Sequence, residues 1–557
     1  MLILGIDTGG TYTDGVIIER DSGTVLHTAK ALTTPDDLAQ GIADCMRALR
    51  FAQWDQIGMV GLSTTLATNA IVEGHGCRVG LVLLGGRPEG EIPAQASVQI
   101  DAHVNIRGGV THPLHTQMID SALQRLKGRC DAVAVSGYAS VRNPEHELQV
   151  KERAVRLLGL PVVCGHEMTG ALGYYERTVT TVLNARLLPL IRSLLDDVQK
   201  VMRELGVRAP LMVARGDGSM MYADYAADRP VETVLSGPAA SVTGARFLSG
   251  CENGVVVDIG GTTTDIAGLR HGECTVSEEG AVLSGWRTRV RALEIFTFGL
   301  GGDSEIHISD KGEIRIGPRR VVPLCRTAIV KGKAGLTPTD ILHASGAYRE
   351  WAAQESIRRI HEVADCLSVT SEQMIEKLYC AVVGQIVKYC RLGAAALGGG
   401  GTAKLIGVGA PANSWLTAAA AQLKVPCIVP PHADVANAVG AAVGQVCETS
   451  QALVRCNRSA DNFYVYLADR RLEAPDLKTA QAMARREVSI IARQKADRAG
   501  AVQTQVSCKE KLVESINRTF IEWRITAKAT GYPESRAQEI QQEMCGSGTD
   551  KGKQNVS

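Results

Sequence analysis

The sequence is poor in the features that mark membrane, nucleic-acid-binding and disulfide-stabilised proteins. No apolar run reaches the ~18 to 20 residues that span a bilayer. The 60 basic and 59 acidic residues leave a net charge of +1, which argues against a basic footprint for nucleic acid or an anionic membrane. Aromatic residues make up only 4% of the chain, whereas glycine is abundant, with 58 residues. We therefore expect a soluble globular protein that binds neither nucleic acid nor membrane.

The cysteines point to a reducing compartment. The 15 cysteines are scattered from Cys45 to Cys545 and form no CxxC pair or zinc-type cluster. This odd, dispersed set is typical of free thiols. The opening MLILGIDTGG has no basic segment and turns to charge and glycine too early for a secretory signal. We therefore expect a cytoplasmic protein.

The length of 557 residues implies several domains, and the pattern of the chain is α/β. A long helical pattern over residues 174–205 contains Pro189, which should kink it. We expect the second domain to follow it, with APLMVAR (209–215) as its first strand and helical patterns continuing to residue 397. The predicted divisions are an N-terminal domain at 1–173, a second domain at 174–450, a C-terminal α+β extension at 451–530 and a disordered tail at 531–557.

Two segments share one design. LILGIDTGGTYTDGVII (2–18) and GVVVDIGGTTTDIAGL (254–269) each join two apolar strands through a Gly-Gly-Thr turn. Their central octapeptides, which start at Asp7 and Asp258, are identical at six of eight positions. One such hairpin in each half of the chain indicates a shared function rather than two decorative turns.

The chemistry of these turns suits phosphate. Successive N–H groups in a Gly-Gly-Thr turn can form an anion-binding nest, and glycine permits close approach and positive φ values. Threonine hydroxyls can donate to phosphate oxygens, and a carboxylate at each strand end can hold Mg²⁺ through water. We therefore predict that the hairpins clamp a nucleotide between two domains. The predicted nucleotide-binding residues are Thr8, Gly9, Gly10, Thr11, Thr13, Gly260, Gly261, Thr262, Thr263 and Thr264, with Asp7 and Asp258 as metal ligands.

This layout resembles the superfamily of actin, sugar kinases and the seventy-kilodalton heat-shock proteins. The resemblance implies two ribonuclease-H-like domains around a cleft for ATP and Mg²⁺, here with a small C-terminal α+β extension. It also implies an adenosine-binding turn, for which the best candidate is IGVGAPANS (406–414), with Gly407 and Gly409. The Ala/Gly segment ADVANAVGAAVG (433–444) resembles the helix near the inter-domain hinge. For that helix we favour close packing over a direct contact with nucleotide.

Further blocks resemble the hydantoinase A/5-oxoprolinase family, in the family's order and over about residues 1–445. The resemblance implies ATP-dependent phosphorylation of the oxygen of a cyclic amide or a ketone. It also implies completion by hydrolysis or carboxylation, often on a partner such as a hydantoinase B-like subunit, within a homo- or hetero-oligomer. The blocks are LSTTLATNAIVEGHG (62–76), AVAVSGYASVRNPEHE (132–147), YYERTVTTVLNARLLPLI (174–191) and RPVETVLSGPAASVTGA (229–245).

The family resemblance also assigns candidate roles to single residues. In the first block, Thr64, Thr65, Thr68 and Asn69 could form a hydrogen-bonding surface for substrate, or simply an N-cap and helix start. Glu176 and Arg177 could be a functional ion pair or a pair at the start of a helix. Ser236-Gly237-Pro238 resembles a turn close to the nucleotide. GLGGDSE (299–305) matches a GxGGGS turn, with Gly301 and Gly302 as nucleotide-binding candidates and Asp303 as a departure. The catalytic candidates are Asp7, Asp258 and Asp265, and the choice of base among these three and Asp14 stays open.

The chain departs from the family pattern in two places. VVPLCRTAIVKGKAG (321–335) stands where the family has DPGPACYG, and GVGAPANS replaces FGGAGPLH, so that Asn413 and Ser414 stand near a missing histidine. These departures spare the ATP-binding residues and bear on the lactam chemistry. Two other functions therefore stay open. One is an ATPase that reactivates or remodels another enzyme, docking through residues 451–557, and the other is a small-molecule kinase with a stable product.

Overall fold

The computed structural model describes residues 1–34, 37–277, 279–309, 313–321, 335–348, 353–396, 404–457, 462–467, 470–514 and 520–535. Most of the stretch that replaces DPGPACYG, residues 322–334, lies outside the described part of the chain. Residues 536–557 of the predicted tail also lie outside it.

Strands and helices alternate along much of the chain. The strands are β1 (Leu2–Thr8), β2 (Tyr12–Glu19), β3 (Thr24–Leu32), β4 (Ile57–Thr64), β5 (Val79–Leu84), β6 (Ala96–Ile100), β7 (His103–Val104), β8 (Val110–His112), β9 (Ala132–Gly137), β10 (Val162–Cys164), β11 (Leu211–Ala214), β12 (Met220–Tyr222), β13 (Gly254–Ile259), β14 (Thr264–Arg270), β15 (Glu273–Cys274), β16 (Val282–Leu283), β17 (Trp286–Arg287), β18 (Ile295–Phe298), β19 (Ser304–Ile308), β20 (Ile314–Arg320), β21 (Leu405–Val408), β22 (Cys427–Ile428), β23 (Val446–Asn457), β24 (Asn462–Tyr466), β25 (Arg471–Ala474), β26 (Ala501–Glu514) and β27 (Phe520–Pro533). The α-helices are α1 (Leu38–Ala48), α2 (Leu66–Val72), α3 (Thr116–Leu126), α4 (Glu145–Leu158), α5 (Gly165–Met168), α6 (Tyr174–Glu204), α7 (Ala223–Asp228), α8 (Ser236–Ser249), α9 (Pro338–Ala344), α10 (Ala353–Cys366), α11 (Ser371–Ala396), α12 (Ala412–Leu423), α13 (Ala436–Val443) and α14 (Leu477–Arg498).

Two sheets repeat the same strand order. In the first sheet the order is β3-β2-β1-β4-β11, where β1 to β3 form an antiparallel meander and β4 and β11 run parallel to β1. In the second sheet the order is β15-β14-β13-β21-β22, with a meander again followed by two parallel strands. This is the ribonuclease-H-like arrangement, present twice, as the sequence predicts.

The first sheet takes in more of the chain than expected. The predicted first strand of the second domain, β11, pairs with β4 of the first sheet, so that expectation is wrong. The C-terminal strands continue the same sheet through β12, β23, β24 and β25, with the β26–β27 hairpin paired to β23. Helix α14 packs on these strands. The C-terminal α+β segment therefore extends the first sheet, while the predicted domain boundaries themselves remain a prediction.

Two further expectations about secondary structure are wrong. The segment from residue 273 to 320 forms the short strands β15 to β20, whereas helical patterns were expected to follow the second hairpin directly. Residues 531–533, the start of the predicted disordered tail, complete β27. The strands of the first segment are mostly local pairs, β14–β15, β16–β17 and β19–β20, and are too short to show a periodicity of their own. The end of β27 is instead held by pairing with the distant strand β23.

A third, parallel sheet of order β10-β9-β5-β6 lies beside the first, and helices α3 and α4 pack on it. Helix α6 packs on β9 and β10 and continues through Pro189. Among the described residues, no helix combines the length and the apolar character that a membrane crossing needs. The described cysteines are all free, as expected.

Helices α8 and α13 pack between the first and second sheets with backbone-to-backbone contacts. A Cβ atom on Gly440 of α13 would lie 1.8 Å from the carbonyl oxygen of Ala240 in α8. A Cβ atom on Gly61 of β4 would lie 1.9 Å from the carbonyl oxygen of Ala441. The Ala/Gly segment is therefore a close-packing helix, and glycine is required where the two backbones meet.

We predict that Gly440→Ala lowers the free energy of unfolding by about 2 kcal/mol or more, because the added methyl group meets backbone atoms that cannot rotate away. Denaturant unfolding followed by circular dichroism measures the change. Gly384→Ala, on the exposed face of α11 with no atom within 4 Å of the added methyl group, is the matched control. It should stabilise the protein by about 0.5 to 1 kcal/mol through helix propensity. Equal effects of the two substitutions would contradict the close contact.

Candidate functional site

The two predicted phosphate hairpins have the same geometry. In the first, Asp7 lies opposite Asp14 across β1 and β2. In the second, Asp258 lies opposite Asp265 across β13 and β14. The turns are closed by equivalent hydrogen bonds of 2.9 Å, from the Gly9 N–H to the Tyr12 carbonyl and from the Gly260 N–H to the Thr263 carbonyl. The sequence repeat is therefore also a structural repeat.

The tips of the hairpins are open. Gly10, Gly261 and Thr262 are exposed, and a Cβ atom on Gly10 would meet no atom within 4 Å. On Gly260 the nearest atom to an added Cβ would be the Thr263 carbonyl oxygen, at 3.4 Å. None of the glycines in the two turns has a positive φ, contrary to expectation. Gly10 and Gly260 leave room for a ligand at the backbone rather than providing a left-handed conformation.

The turn that contains Gly301 and Gly302 supports the second hairpin. The Gly302 N–H donates to the Gly260 carbonyl at 3.0 Å, and the Asp303 N–H donates to the Gly261 carbonyl at 2.7 Å. A Cβ atom on Gly301 would lie 2.5 Å from the Gly261 backbone. The structure therefore brings the predicted residues Gly301 and Gly302 to the site, where they hold the hairpin from beneath.

Only some of the predicted threonine hydroxyls face the opening. Thr13 and Thr264 are fully buried, and their hydroxyls bond instead to the Thr33 hydroxyl, at 3.1 Å, and the Leu300 carbonyl, at 2.7 Å. Thr11, Thr262 and Thr263 lie toward the tips and are at least partly exposed. Thr8 is buried, and its Oγ1 has no hydrogen-bond partner within the described chain.

Four carboxylates of the two hairpins act on one another. Burial, and then the Asp14 charge, raises the pKa of Asp7 from 3.8 to about 7. Burial, and then the Asp258 charge, raises the pKa of Asp265 to about 7. Burial also raises the pKa values of Asp14 and Asp258, with a further repulsive contribution on Asp14 from Asp434, outside the hairpins, and on Asp258 from Asp14. A cation placed among them would relieve this repulsion.

Neighbouring side chains, which the sequence did not identify, orient the carboxylates. Lys30 lies opposite Asp14 in the β2–β3 register, so a strand alignment could have found it. The others come from distant parts of the chain. The contacts are Lys30 Nζ to Asp14 at 2.5 Å, Ser241 Oγ to Asp258 at 2.6 Å, Thr297 Oγ1 to Asp265 at 2.6 Å and Asn437 Nδ2 to Asp7 at 3.4 Å.

The residues present fit a divalent cation with oxygen ligands. Oδ1 of the buried Asp7 has no hydrogen-bond partner among the described residues, so this oxygen is available as a ligand. Asp258 belongs to the opposite hairpin, and its charge also raises the pKa of Asp7. Carboxylates and water are the ligands that Mg²⁺ prefers, which makes Asp7 and Asp258 suitable ligands.

The two glycines of the turn predicted to bind adenosine have different roles. Gly409 has a φ of +90°, and a Cβ atom there would lie 2.7 Å from Asp258 Oδ1. This turn therefore lies against the second hairpin. Gly407 is inside β21, where an added Cβ would meet Leu416 and Val429 at 2.8 and 2.9 Å. Its position is that of a packing residue.

The threonine block at the end of β4 is a helix start. The Thr64 Oγ1 accepts from the Leu66 N–H at 3.2 Å, and the Thr65 Oγ1 donates to the Thr8 carbonyl at 3.3 Å. The Thr68 Oγ1 accepts from the Leu235 N–H at 3.0 Å. Of the four predicted substrate residues only Asn69 is exposed. These contacts favour the structural alternative, and the substrate role stays a prediction.

Glu176 and Arg177 do not form an ion pair with each other. The buried Arg177 donates to the Gly137 and Tyr138 carbonyls at 2.6 and 2.8 Å. Glu176 instead lies 3.7 Å from Arg289. The Ser236 hydroxyl donates to the Thr64 carbonyl at 3.0 Å, so the predicted SGP turn joins the start of α8 to the end of β4.

The duplicated sheets and their facing hairpins define a two-domain protein of the actin-like ATPase fold. The chain belongs to the hydantoinase/oxoprolinase family. The family's N-terminal region, described as "Hydantoinase/oxoprolinase N-terminal region", matches residues 3–158. The part described as "Hydantoinase/oxoprolinase" matches residues 177–450. The family resemblance read from the sequence is thereby confirmed.

Two relatives and one solved structure illustrate the similarity. Caprolactamase subunit alpha of Pseudomonas jessenii is 30% identical over 375 residues, which are 60% of this chain and 53% of that protein. Acetophenone carboxylase gamma subunit of Aromatoleum aromaticum is 27% identical over 374 residues, 57% of this chain and 49% of that protein. The crystal structure of ATP-dependent caprolactamase from Pseudomonas jessenii matches with a TM-score of 0.73 at 22% identity, covering 96% of this chain and 87% of that one. The chain therefore spans about half the length of the curated relatives it matches, and the structural likeness confirms the predicted fold.

The raised carboxylate pKa values predict a pH-dependent stability. Asp7 and Asp265, with pKa values of about 7, retain protons where the unfolded chain has released them. From about pH 4 to pH 7 the folded state binds more protons, so the free energy of unfolding that these groups contribute falls as the pH rises. We predict that Asp7→Asn stabilises the ligand-free protein at pH 8 by about 1 to 2 kcal/mol and has little effect near pH 4. Denaturant unfolding at the two pH values measures the difference.

The matched control for Asp7→Asn is Asp196→Asn on the exposed face of α6. It should change the free energy of unfolding by less than about 0.5 kcal/mol at either pH. A destabilisation by Asp7→Asn that is equal at both pH values would show that Asp7 is not held in a repulsive, buried environment.

Proposed function

We propose that this chain is an ATP-dependent enzyme component that phosphorylates the carbonyl oxygen of a cyclic amide or a ketone. The observation that carries the proposal is the pair of hairpins of identical register, with open tips at Gly10 and Gly260 and four buried carboxylates whose pKa values are raised behind them. Backbone N–H groups at the tips suit phosphate oxygens. The carboxylates suit Mg²⁺, with Asp7 and Asp258 as its ligands, and Mg²⁺ would neutralise phosphate charge there.

The chemistry follows from the poor reactivity of an amide carbonyl, which is stabilised by resonance. A bond forms between the γ-phosphorus of ATP and the carbonyl oxygen, and the bond from that phosphorus to the bridging oxygen breaks, releasing ADP. The carbonyl carbon becomes more electrophilic, so water adds to it, and the ring C–N bond breaks with the nitrogen taking a proton. The resulting acyl phosphate then releases phosphate to a second water, which leaves the open-chain amino acid. With a ketone, the phosphorylated enol form is the activated species for carboxylation. The protein contributes mainly position and charge neutralisation.

We propose that a second subunit completes the hydrolysis or carboxylation. The named relatives are themselves subunits, of a caprolactamase and of an acetophenone carboxylase, and this chain spans about half of their length. The first names a cyclic amide substrate and the second a ketone. The proposed substrate class is therefore a small carbonyl compound, and the proposed assembly is a hetero-oligomer.

The first test is calorimetric titration of the protein with ATP-Mg and ADP-Mg, followed by ATPase assays with ε-caprolactam, 5-oxoproline, hydantoin and acetophenone. We expect nucleotide binding and turnover that rises with one of these compounds. Nucleotide binding with no rise for any compound would favour the alternative, an ATPase that acts on a partner protein. Absence of nucleotide binding would contradict both functions.

We predict that Asp258→Ala lowers ATPase turnover by more than tenfold, which corresponds to about 1.4 kcal/mol or more of barrier, because it removes a metal-side carboxylate. Asp7→Ala should have the same effect. Steady-state ATPase assays measure the loss, and the exposed variant Asp196→Ala is the control, with turnover expected to remain within twofold. Retention of more than about a tenth of the activity by Asp258→Ala would argue against its role.

A further inference from the structure

A single arginine side chain links the two phosphate hairpins. Arg320 is the last residue of β20, and its register opposite Ser304 places it next to Asp303. Its Nη2 donates to the Thr11 hydroxyl of the first hairpin, 309 residues away in sequence. The same nitrogen lies 3.2 Å from Asp303 Oδ2. Arg320 therefore spans the opening between the hairpins.

Asp303 is part of the turn, with Gly301 and Gly302, that supports the second hairpin. Its N–H donates to the Gly261 carbonyl at 2.7 Å, and a Cβ atom on Gly261 would lie 2.8 Å from its Oδ2. The side chain is only 12% exposed. A carboxylate this close to an open phosphate turn repels a phosphate group unless a cation stands beside it. Arg320 supplies that cation.

The guanidinium still has donors for another acceptor. Nε of Arg320 is buried and has no hydrogen-bond partner among the described residues, while the side chain as a whole is 33% exposed. Lys30, a cation near the first hairpin, is already paired with Asp14 at 2.5 Å. Arginine presents a fork of donors that matches phosphate oxygens, and such charge-assisted bonds are roughly twice as strong as neutral ones.

We infer that Arg320 binds the phosphate chain of the nucleotide and that Asp303 and Thr11 hold it in place across the cleft when nucleotide is absent. This inference rests on the proposed function, because it requires ATP in the cleft. On binding, Arg320 exchanges its contacts with Thr11 and Asp303 for phosphate oxygens. Asp303 weakens nucleotide binding by competing for Arg320 and by repelling phosphate, so its charge sets the affinity of the site.

Opposite changes in affinity test the inference. The affinity for ATP-Mg, measured by calorimetry on the full chain, should fall at least tenfold in Arg320→Met and rise severalfold in Asp303→Asn. Arg320→Lys, which keeps the charge but loses the fork, should lie between Arg320→Met and the wild type. Thermal unfolding of each variant confirms that it is folded. Arg319→Met is the matched control, because this neighbouring side chain is 81% exposed and pairs with Glu305 at 3.5 Å, and its affinity should stay within twofold.

The outcomes separate this inference from the proposed function. If the wild type binds no ATP, the proposed function fails and this inference fails with it. If the wild type binds ATP and Arg320→Met binds it within twofold of wild type, only the role of Arg320 is overturned. If Arg320→Met and Asp303→Asn weaken binding to a similar extent, the pair is a structural bridge and the inference is also overturned.

Discussion

The close contact between helices α8 and α13 sets the distance between the two ribonuclease-H-like sheets. At Gly440 of α13 a side chain would collide with the backbone of α8, and at Gly61 of β4 a side chain would collide with the backbone of α13. A contact of this kind leaves no long side chains that could adjust their rotamers. The two hairpins project from the sheets that these helices join, so their separation follows from backbone geometry. A movement of the halves must therefore pivot at this contact.

This fixed geometry has an electrostatic cost. It brings two pairs of carboxylates, one from each hairpin, into a buried region where they raise one another's pKa values. A protein selected for stability alone would place neutral residues there. Ser241, Thr297 and Asn437 donate hydrogen bonds to three of the four carboxylates, which holds their positions without removing the repulsion. Unrelieved charge in an otherwise well-packed protein is characteristic of a binding site.

The sequence predicted the parts of this site that are local. The repeat around Asp7 and Asp258 gave both hairpins because strand, turn and carboxylate are adjacent in the chain. Lys30 could have been predicted from the register of β2 and β3, because it lies opposite Asp14 on the neighbouring strand. Arg320 was not, because 309 residues separate it from Thr11 and no local pattern reports that contact.

The sequence also did not predict which sheet each strand joins or which glycines adopt a positive φ. Nothing in APLMVAR distinguishes a strand of the first sheet from one of the second, since the pairing partner β4 lies far away in the chain. The two glycines of the predicted adenosine turn look alike in sequence, but only Gly409 has a positive φ, and Gly407 is a packing residue. The roles of the threonines after β4 were also ambiguous, because a helix start and a polar surface use the same residue types.

The charges of the site favour a nucleotide only when its phosphates and a divalent cation are present together. A triphosphate alone would bring its negative charge toward Asp7, Asp258 and their partners. A divalent cation alone would have to displace protons from Asp7 and Asp265, whose pKa values are raised to about 7. The cation reduces the repulsion between the phosphates and the carboxylates, and the phosphates supply negative charge that favours binding of the cation. The metal and the phosphates should therefore enter as one complex. Arg320 and Asp303 form a similar pair of opposite charges at the edge of the cleft. The cation there is already neutralised in the resting protein, and a phosphate chain must compete for it.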